Sequence, residues 1–496
     1  MKTLNNYLFE ILISVFVALA LLLLFTDGGE PEATNRSDPG VESPMSSQSQ
    51  QPIQPAVVPA PGLAPDLLAT EPEVILRLHG SNTIGGKLAP AIAAAYLRQL
   101  GSEVTVSRPL EQPNEVEVIG YLPPENTVVS VQVKAHGSST GFKALIAKQA
   151  DIAMSSRSIR EAENLQLLLD QGDMTQPQSE HILALDGLAI VTHPDNLTAS
   201  ITVKQLADVF SGRITNWQQL GGADLAITLY ARDDQSGTFD TFAALVLNKY
   251  GRQLASANRY ESNARLVAAV ADDQGGIGFT GLAYAKPGML ISVAADEGLP
   301  AIKPRQFSIS SEDYALSRRL FLYANKSLSG NPHVGDFIDF ALSDQGHQLV
   351  EHVNFIPQKI TSTLPLVTHE HPARYQQLAL NGERLSVTFR MRADRAEIDN
   401  KSAQDIEHLV EYLKQTPHQK VALIGFSAVE TNDEADKLRS RIRSQLLAYE
   451  LKTRGIHAVE IIALGNQLPI DSNQHEWGRY RNNRTEIWVI KGQNNS

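Results

Sequence analysis

The 496-residue sequence predicts an α/β protein with one large and one small globular domain behind an N-terminal apolar span. Three observations carry this. Strand-like alternation repeatedly gives way to helix-like spacing across a turn rich in glycine and hydroxyl residues. Two stretches without such periodicity separate the globular segments. Residues 7–25, "YLFEILISVFVALALLLLF", are almost wholly apolar. The expected order is a transmembrane signal anchor (1–26), a disordered Pro/Ser/Gln-rich linker (27–70), the large domain (71–365), a second linker (366–379) and the small domain (380–496).

The apolar run is long enough to cross a bilayer core of about 30 Å. Lys2 precedes it, Asp27, Glu30 and Glu32 follow it, and no small-x-small cleavage site comes after. The positive-inside rule places the N-terminus in the cytoplasm and the bulk of the chain outside it. A cleaved signal is the competing expectation.

The formal net charge of −12 argues against nucleic acid as a partner, because no global positive field collects phosphates. With no cysteine in the chain, disulfides, thiolate metal sites and a lipid-modified N-terminal cysteine are excluded. No cofactor or metal motif is present in the sequence.

Three turns organise the large domain. Val74, Leu76 and Leu78 alternate into Gly80-Ser81-Asn82-Thr83, and Leu88, Ile92, Ala95 and Tyr96 follow at helical spacing. Val129, Val131 and Val133 lead into Gly137-Ser138-Ser139-Thr140, followed by Phe142, Leu145 and Ile146. Leu225, Ile227 and Leu229 lead into "YARDDQSGTFDTF", which continues through Phe239, Phe242, Leu245 and Val246. Each junction puts free backbone N–H groups and hydroxyls at a helix start, which suits an anion. Ser and Thr are also ordinary helix caps. Arg232 separates the two readings: a guanidinium fork fits a tetrahedral oxyanion, whereas Asp233 and Asp234 could hold it in a purely structural pair.

These turns, with "VFSGRITNWQQLGG" (209–222) and "GGIGFTGLAYA" (275–285), resemble the periplasmic phosphate-binding proteins of ABC phosphate uptake over roughly residues 74–360. The resemblance implies a two-lobed periplasmic-binding-protein fold, an anion in the interlobe cleft and an ABC permease as recipient. It assigns phosphate contacts to Ser81, Asn82, Thr83, Ser138, Arg232, Ser236, Gly237 and Thr238, with Asp234 orienting Arg232. Ser156, in "DIAMSSRSI", stands where many members carry an aspartate that accepts a proton of phosphate. Serine still accepts a hydrogen bond, so phosphate over sulfate is the expected preference. Arg157 is either a second cation or a surface residue. His136 either reaches the site or is an ordinary part-exposed histidine, and Trp217 packs a loop. Ser236 lacks the Gly-x-Ser-x-Gly elbow of a nucleophile, which sets a phosphoester hydrolase behind a binding protein.

In the small domain "RLSVTFRM", "KVALIGFS", "AVEIIALG" and "RTEIWVI" read as strands. Ala403, Ile406, Leu409, Val410 and Leu413 mark one helix face, and a long helix ends near Gly455. With Gly478, Arg479, Asn482, Arg484 and Glu486 in the spacing of the outer-membrane protein A (OmpA-like) C-terminal domain, the segment resembles that family and implies an α/β sandwich bound to the diaminopimelate of peptidoglycan. Its arginine aligns with Arg443. The aspartate position holds Ala428, a loss of about 2 kcal/mol, roughly thirtyfold in affinity, for one charge-assisted contact. Glu430 or Asp433 could replace it; otherwise the domain is a spacer or protein-contact module. The whole chain then reads as a membrane-anchored phosphate-binding protein attached to the cell wall, or as a structural envelope tether or sensor that does not serve phosphate transport.

Overall fold

The computed structural model describes residues 64–123, 126–234, 236–365, 367–390, 399–416, 419–428 and 432–491. The anchor, nearly all of the first linker and Glu430 lie outside them. No helix among the described residues is long and apolar enough to cross a membrane. The last residues assigned to the first linker are described: Ala64–Ala69 form a short helix with Leu67 buried, and Arg108 donates to the Leu68 carbonyl. Burial of Leu67 and the Arg108 contact help dock a turn that composition reads as linker.

In the large domain the strands run β1 (Glu73–Gly80), β2 (Thr105–Pro109), β3 (Glu115–Leu122), β4 (Thr127–Lys134), β5 (Ile152–Ser155), β6 (Glu180–Thr192), β7 (Ser200–Thr202), β8 (Thr228–Arg232), β9 (Asn258–Tyr260), β10 (Gly276–Gly281), β11 (Ser292–Ala294), β12 (Ala301–Ile302) and β13 (Ser317–Tyr323). Ten form one sheet in the order β2-β3-β4-β1-β5-β13-β6-β10-β8-β9, and β12-β11-β7 form a small second sheet.

Two cores flank the middle of the large sheet. In the first, Leu76 and Leu78 of β1 and the valines of β4 pack on Ile92 and Tyr96 of the helix Leu88–Gln99. In the second, Phe242 stacks on Phe279 at 3.9 Å with Phe210 edge-on to both. Each such buried side chain contributes about 1.5–3 kcal/mol. Two lobes result. Strand β6 passes between them: its first half pairs with β13 and its second half with β10, all antiparallel.

The small domain is a five-stranded sheet, ordered β14-β15-β18-β16-β17 from β14 (Ser362–Thr363), β15 (Gly382–Arg390), β16 (Gln419–Phe426), β17 (Ala458–Gly465) and β18 (Arg484–Lys491). The helices Asn400–Gln415 and Asp433–Thr453 complete the alternation of strand and helix read from the sequence. The second linker contains a helix, Ala373–Ala379, because Tyr375 and Leu378 bury against Ile424 and Trp488. The Tyr375 ring meets Trp488 edge-on at 5.1 Å.

The two domains are joined by buried ion pairs. Glu312 and Asp313 of the large domain meet Arg384 and Arg390 of the small one: Arg384–Asp313 is 2.7 Å and Arg390–Glu312 is 3.0 Å. Arg481 donates to the carbonyls of Glu312 and Asp313, each at 2.9 Å. Arg319 of β13 binds Glu312 at 2.6 Å and, across the interface, Asp399 at 2.7 Å. Burial alone would raise the Glu312 carboxyl, but Arg319 foremost, with Lys401 and Arg390, brings it down to about 2.

Candidate functional site

The first two turns sit at the C-terminal ends of neighbouring parallel strands, where open α/β sheets place their ligands. β1 lies between β4 and β5, parallel to both. The first turn follows β1, the second follows β4, and Ser156 follows β5. Gly137 N–H donates to Gly80 O at 2.8 Å and Ser81 N–H to Met154 O at 2.9 Å, so backbone bonds fix the three ends together. Gly80 has φ +134°, and a Cβ there would lie 2.1 Å from Met154 O; only glycine closes this turn.

Ser81 is fully buried, and its Oγ has no hydrogen-bond partner. A buried hydroxyl in that state is costly, by about 1–3 kcal/mol, unless a ligand meets it. Across from it stands the third turn on the other lobe. A Cβ on Gly237 would come 2.8 Å from Thr83 Oγ1 and 3.8 Å from Ser81 Oγ. The glycine thus lets the two lobes approach with hydroxyls between them. Asn82 opens a helix of a single turn, Asn82–Gly85.

Ser138 and Ser156 are also brought together. Ser138 Oγ accepts from Ser156 N–H at 3.0 Å, and the two hydroxyls are 3.3 Å apart. Ser236 caps the helix Gly237–Phe242, accepting from the N–H groups of Thr238 and Phe239. Its lone pairs serve the chain, which leaves its hydrogen for an outside acceptor. Thr238 is buried beside it.

Arg232 ends β8 and is held by uncharged oxygens. It donates to Tyr260 O at 3.1 Å, Asn263 Oδ1 at 2.6 Å and Glu261 O at 2.5 Å. Burial pulls its guanidinium below the usual arginine range while nearby Asp233 pulls the other way. It stays a cation at any physiological pH. Asp234 does not orient it. Asp234 is exposed and pairs with Arg259, whose guanidinium lies 4.5 Å over the Phe239 ring, because β9 runs beside β8 and brings Arg259 opposite Ala231. Arg157 pairs with Glu163 at 2.6 Å and donates to Ser139 Oγ at 3.0 Å. His136 meets Glu115 at 3.0 Å, and buried Trp217 donates to Gly275 O.

One residue in this region escapes the sequence reading. Arg318, on β13, is 7% exposed and donates to Asp186, Thr83 Oγ1, Gly237 O and Thr241 Oγ1. The available signal was charge inside strand-like apolar stretches: Asp186 in "LALDGLAIV", and Arg318 with Arg319 leading "SRRLFLY". Charges in buried strands are nearly always paired.

In the small domain, Arg443 donates to Ser427 Oγ at 3.3 Å. Ala428 is fully buried, and its N–H donates to Asn483 Oδ1 at 2.8 Å. Asp433 accepts from Asn466. The Gly478–Glu486 motif is largely architectural: a Cβ at Gly478 would strike Ser472 O, Asn482 holds the backbone of Ile470 and Asp471, and Arg484 lies 3.8 Å over Phe426 while pairing with Glu486. Arg479 donates to Asn473 O.

A two-lobed α/β domain with hydroxyl-lined turns facing across its cleft defines a class of binding protein. Residues 123–345 match the PBP superfamily domain. The phosphate-binding protein PstS of Borreliella burgdorferi is 30% identical over 268 residues, covering 52% of this chain and 88% of that protein. Protein SphX of Synechococcus elongatus is 31% identical over 242 residues, 47% of this chain and 70% of that one. A crystal structure of an ABC-type phosphate transport receptor from Vibrio cholerae aligns with a TM-score of 0.44 at 25% identity, over 57% of this chain and 99% of that one. The chain belongs to the PstS-type phosphate-binding protein family.

Proposed function

We propose that this protein binds phosphate, or a similar tetrahedral oxyanion, in the cleft between the two lobes of its large domain. The observation that carries the reading is the buried, unpartnered Ser81 hydroxyl, which with Thr83 of the same turn faces Gly237 across the lobes. Around it, Ser138, Ser156, Ser236 and Thr238 supply hydroxyls and N–H groups, and Arg232 supplies charge from a position where uncharged oxygens hold it. No bond is made or broken. The anchor at 1–26 would hold the protein in the cytoplasmic membrane, with a permease in that membrane as recipient of the anion. Isothermal titration of the solubilised chain with phosphate and with sulfate tests the reading. Saturable heat with phosphate, and weaker heat with sulfate, is expected; no heat at millimolar phosphate would sink it.

The small domain is proposed to associate with peptidoglycan through Arg443. One observation favours a second reading, as a spacer or protein-contact module. Ala428 is buried and carries no side-chain acceptor, and the neighbouring Asn483 Oδ1 already accepts from the Ala428 N–H, so this position offers a ligand ammonium no carboxylate.

A further inference from the structure

Strands β6 and β13 lie side by side where the two lobes join, and their register sets Arg318 directly opposite Asp186. Arg318 Nε and Nη2 donate to the same Asp186 oxygen at 3.0 and 2.6 Å, and Gly187 N–H donates to the other at 2.8 Å. Both side chains are about 95% buried. The pair therefore adds hydrogen bonds near the cleft without adding net charge.

The same guanidinium reaches further. Nη2 donates to Thr83 Oγ1 at 3.2 Å, on the first turn. Nη1 donates to Gly237 O at 2.9 Å and to Thr241 Oγ1, on the third turn and its helix. Thr83 belongs to one lobe and Gly237 to the other. A single side chain rooted at the hinge thus spans both sides of the cleft. Because Thr83 Oγ1 accepts from Arg318, its own hydrogen is left to point elsewhere, and Gly237 and Ser81 Oγ lie close by.

We propose that Arg318 is a closure latch: a positioning residue that ties the first and third turns together in the closed form and aims the Thr83 hydroxyl at the bound anion. The proposal rests on the anion-binding reading of the cleft. Its physical basis is geometric. Hinge opening moves Thr83 and Gly237 apart. Arg318 stays with Asp186, its strand partner, and so gives up one turn or the other. Its full set of bonds exists only when the lobes are closed, and a latch of that kind slows release rather than speeding capture.

The test uses the full chain and inorganic phosphate. Arg318→Lys keeps the charge and the Asp186 pair but replaces a five-donor fork with a point charge. Phosphate affinity is expected to fall about tenfold to a hundredfold, almost entirely through faster dissociation. The double variant Asp186→Asn/Arg318→Gln removes both charges together, so no buried carboxylate is stranded, and it should behave alike. Wild-type dissociation rates in both variants would overturn the latch. A readout without anion is also available. The chain has no cysteine, so Ala147→Cys and Ala223→Cys, one exposed site on each lobe, give a unique spin-label pair. In anion-free protein the latch predicts a longer mean interlobe distance for Arg318→Lys than for wild type; equal distances refute it. If wild type binds no phosphate, the functional reading has failed, and the label distances alone decide the latch.

Discussion

The interlobe cleft and the Arg443 region of the small domain each set an arginine against a hydroxyl, Arg318 on Thr83 and Arg443 on Ser427, yet they differ in what is left over. In the cleft a buried hydroxyl, Ser81 Oγ, has no partner, and it faces a second lobe that can move. In the small domain the chain uses up its own acceptors. Ser427 Oγ donates to Ala428 O and receives Arg443, and Asn483 Oδ1 holds Ala428 N–H. Among the described residues there, Asn483 Nδ2, a donor, is buried without a partner. That spare donor suits a carboxylate rather than an ammonium. An unsatisfied group between two rigid bodies marks a place for a ligand more strongly than the presence of an arginine does.

The largest test of this contrast is Arg232→Ala. It removes the cation proposed to meet the anion and should abolish measurable phosphate binding by titration; unchanged affinity would refute the site. Ser81→Ala is subtler and more diagnostic. Losing one hydroxyl contact should weaken phosphate about tenfold, while the anion-free protein melts at the same temperature or slightly higher, since an unsatisfied buried group is deleted. A drop in both would make Ser81 a structural residue.

Acid should act on the domain junction. The Glu312 carboxyl is held at about 2, below its unfolded value of 4.5. Asp313 and Asp399 are likewise lowered, burial opposing and Arg384 and Arg319, respectively, pulling them down. A depressed carboxylate contributes stability that is full above its unfolded pKa and lost as pH falls through its folded one. Melting monitored by calorimetry should therefore hold steady above about pH 5 and fall between about pH 4.5 and 2, with Glu312→Gln flattening that decline. The smallest effect is expected from Arg443→Ala in a sacculus pull-down. With Ala428 in place of a carboxylate, it should lower retention by no more than about tenfold, and full retention would favour the spacer reading.

The three turns were legible because each is local: alternation, glycine, hydroxyls and helix spacing fall within about 25 residues. The small domain's order of strands and helices was legible for the same reason. What the sequence hid is long-range. Asp186 and Arg318 meet across 132 residues, and the Asp234–Arg259 pair depends on β9 lying next to β8. The strand before the third turn is another case. Leu225 and Ile227 precede β8 and pack into the second core from irregular backbone, with Ile227 N–H bonded to Thr215 O, so alternation there reports burial on one side without a ladder. The helix Ala373–Ala379 was invisible because one aromatic anchor, Tyr375, docks a short polar segment.

Strand order has a consequence for how the molecule is made. In the large sheet β13, which comes late in its domain, sits between β5 and β6; in the small sheet β18, the latest strand, sits between β15 and β16. Until residue 317 has left the ribosome, the large sheet can exist only as two separate pieces, β2-β3-β4-β1-β5 and β6-β10-β8-β9. Each domain is thus fastened by an insertion into its middle rather than by growth at its edge. A nascent chain presents two open strand edges throughout that interval, the very state in which unpaired edges invite aggregation. The protein's demand on folding assistance should be set by the delay before these two strands arrive.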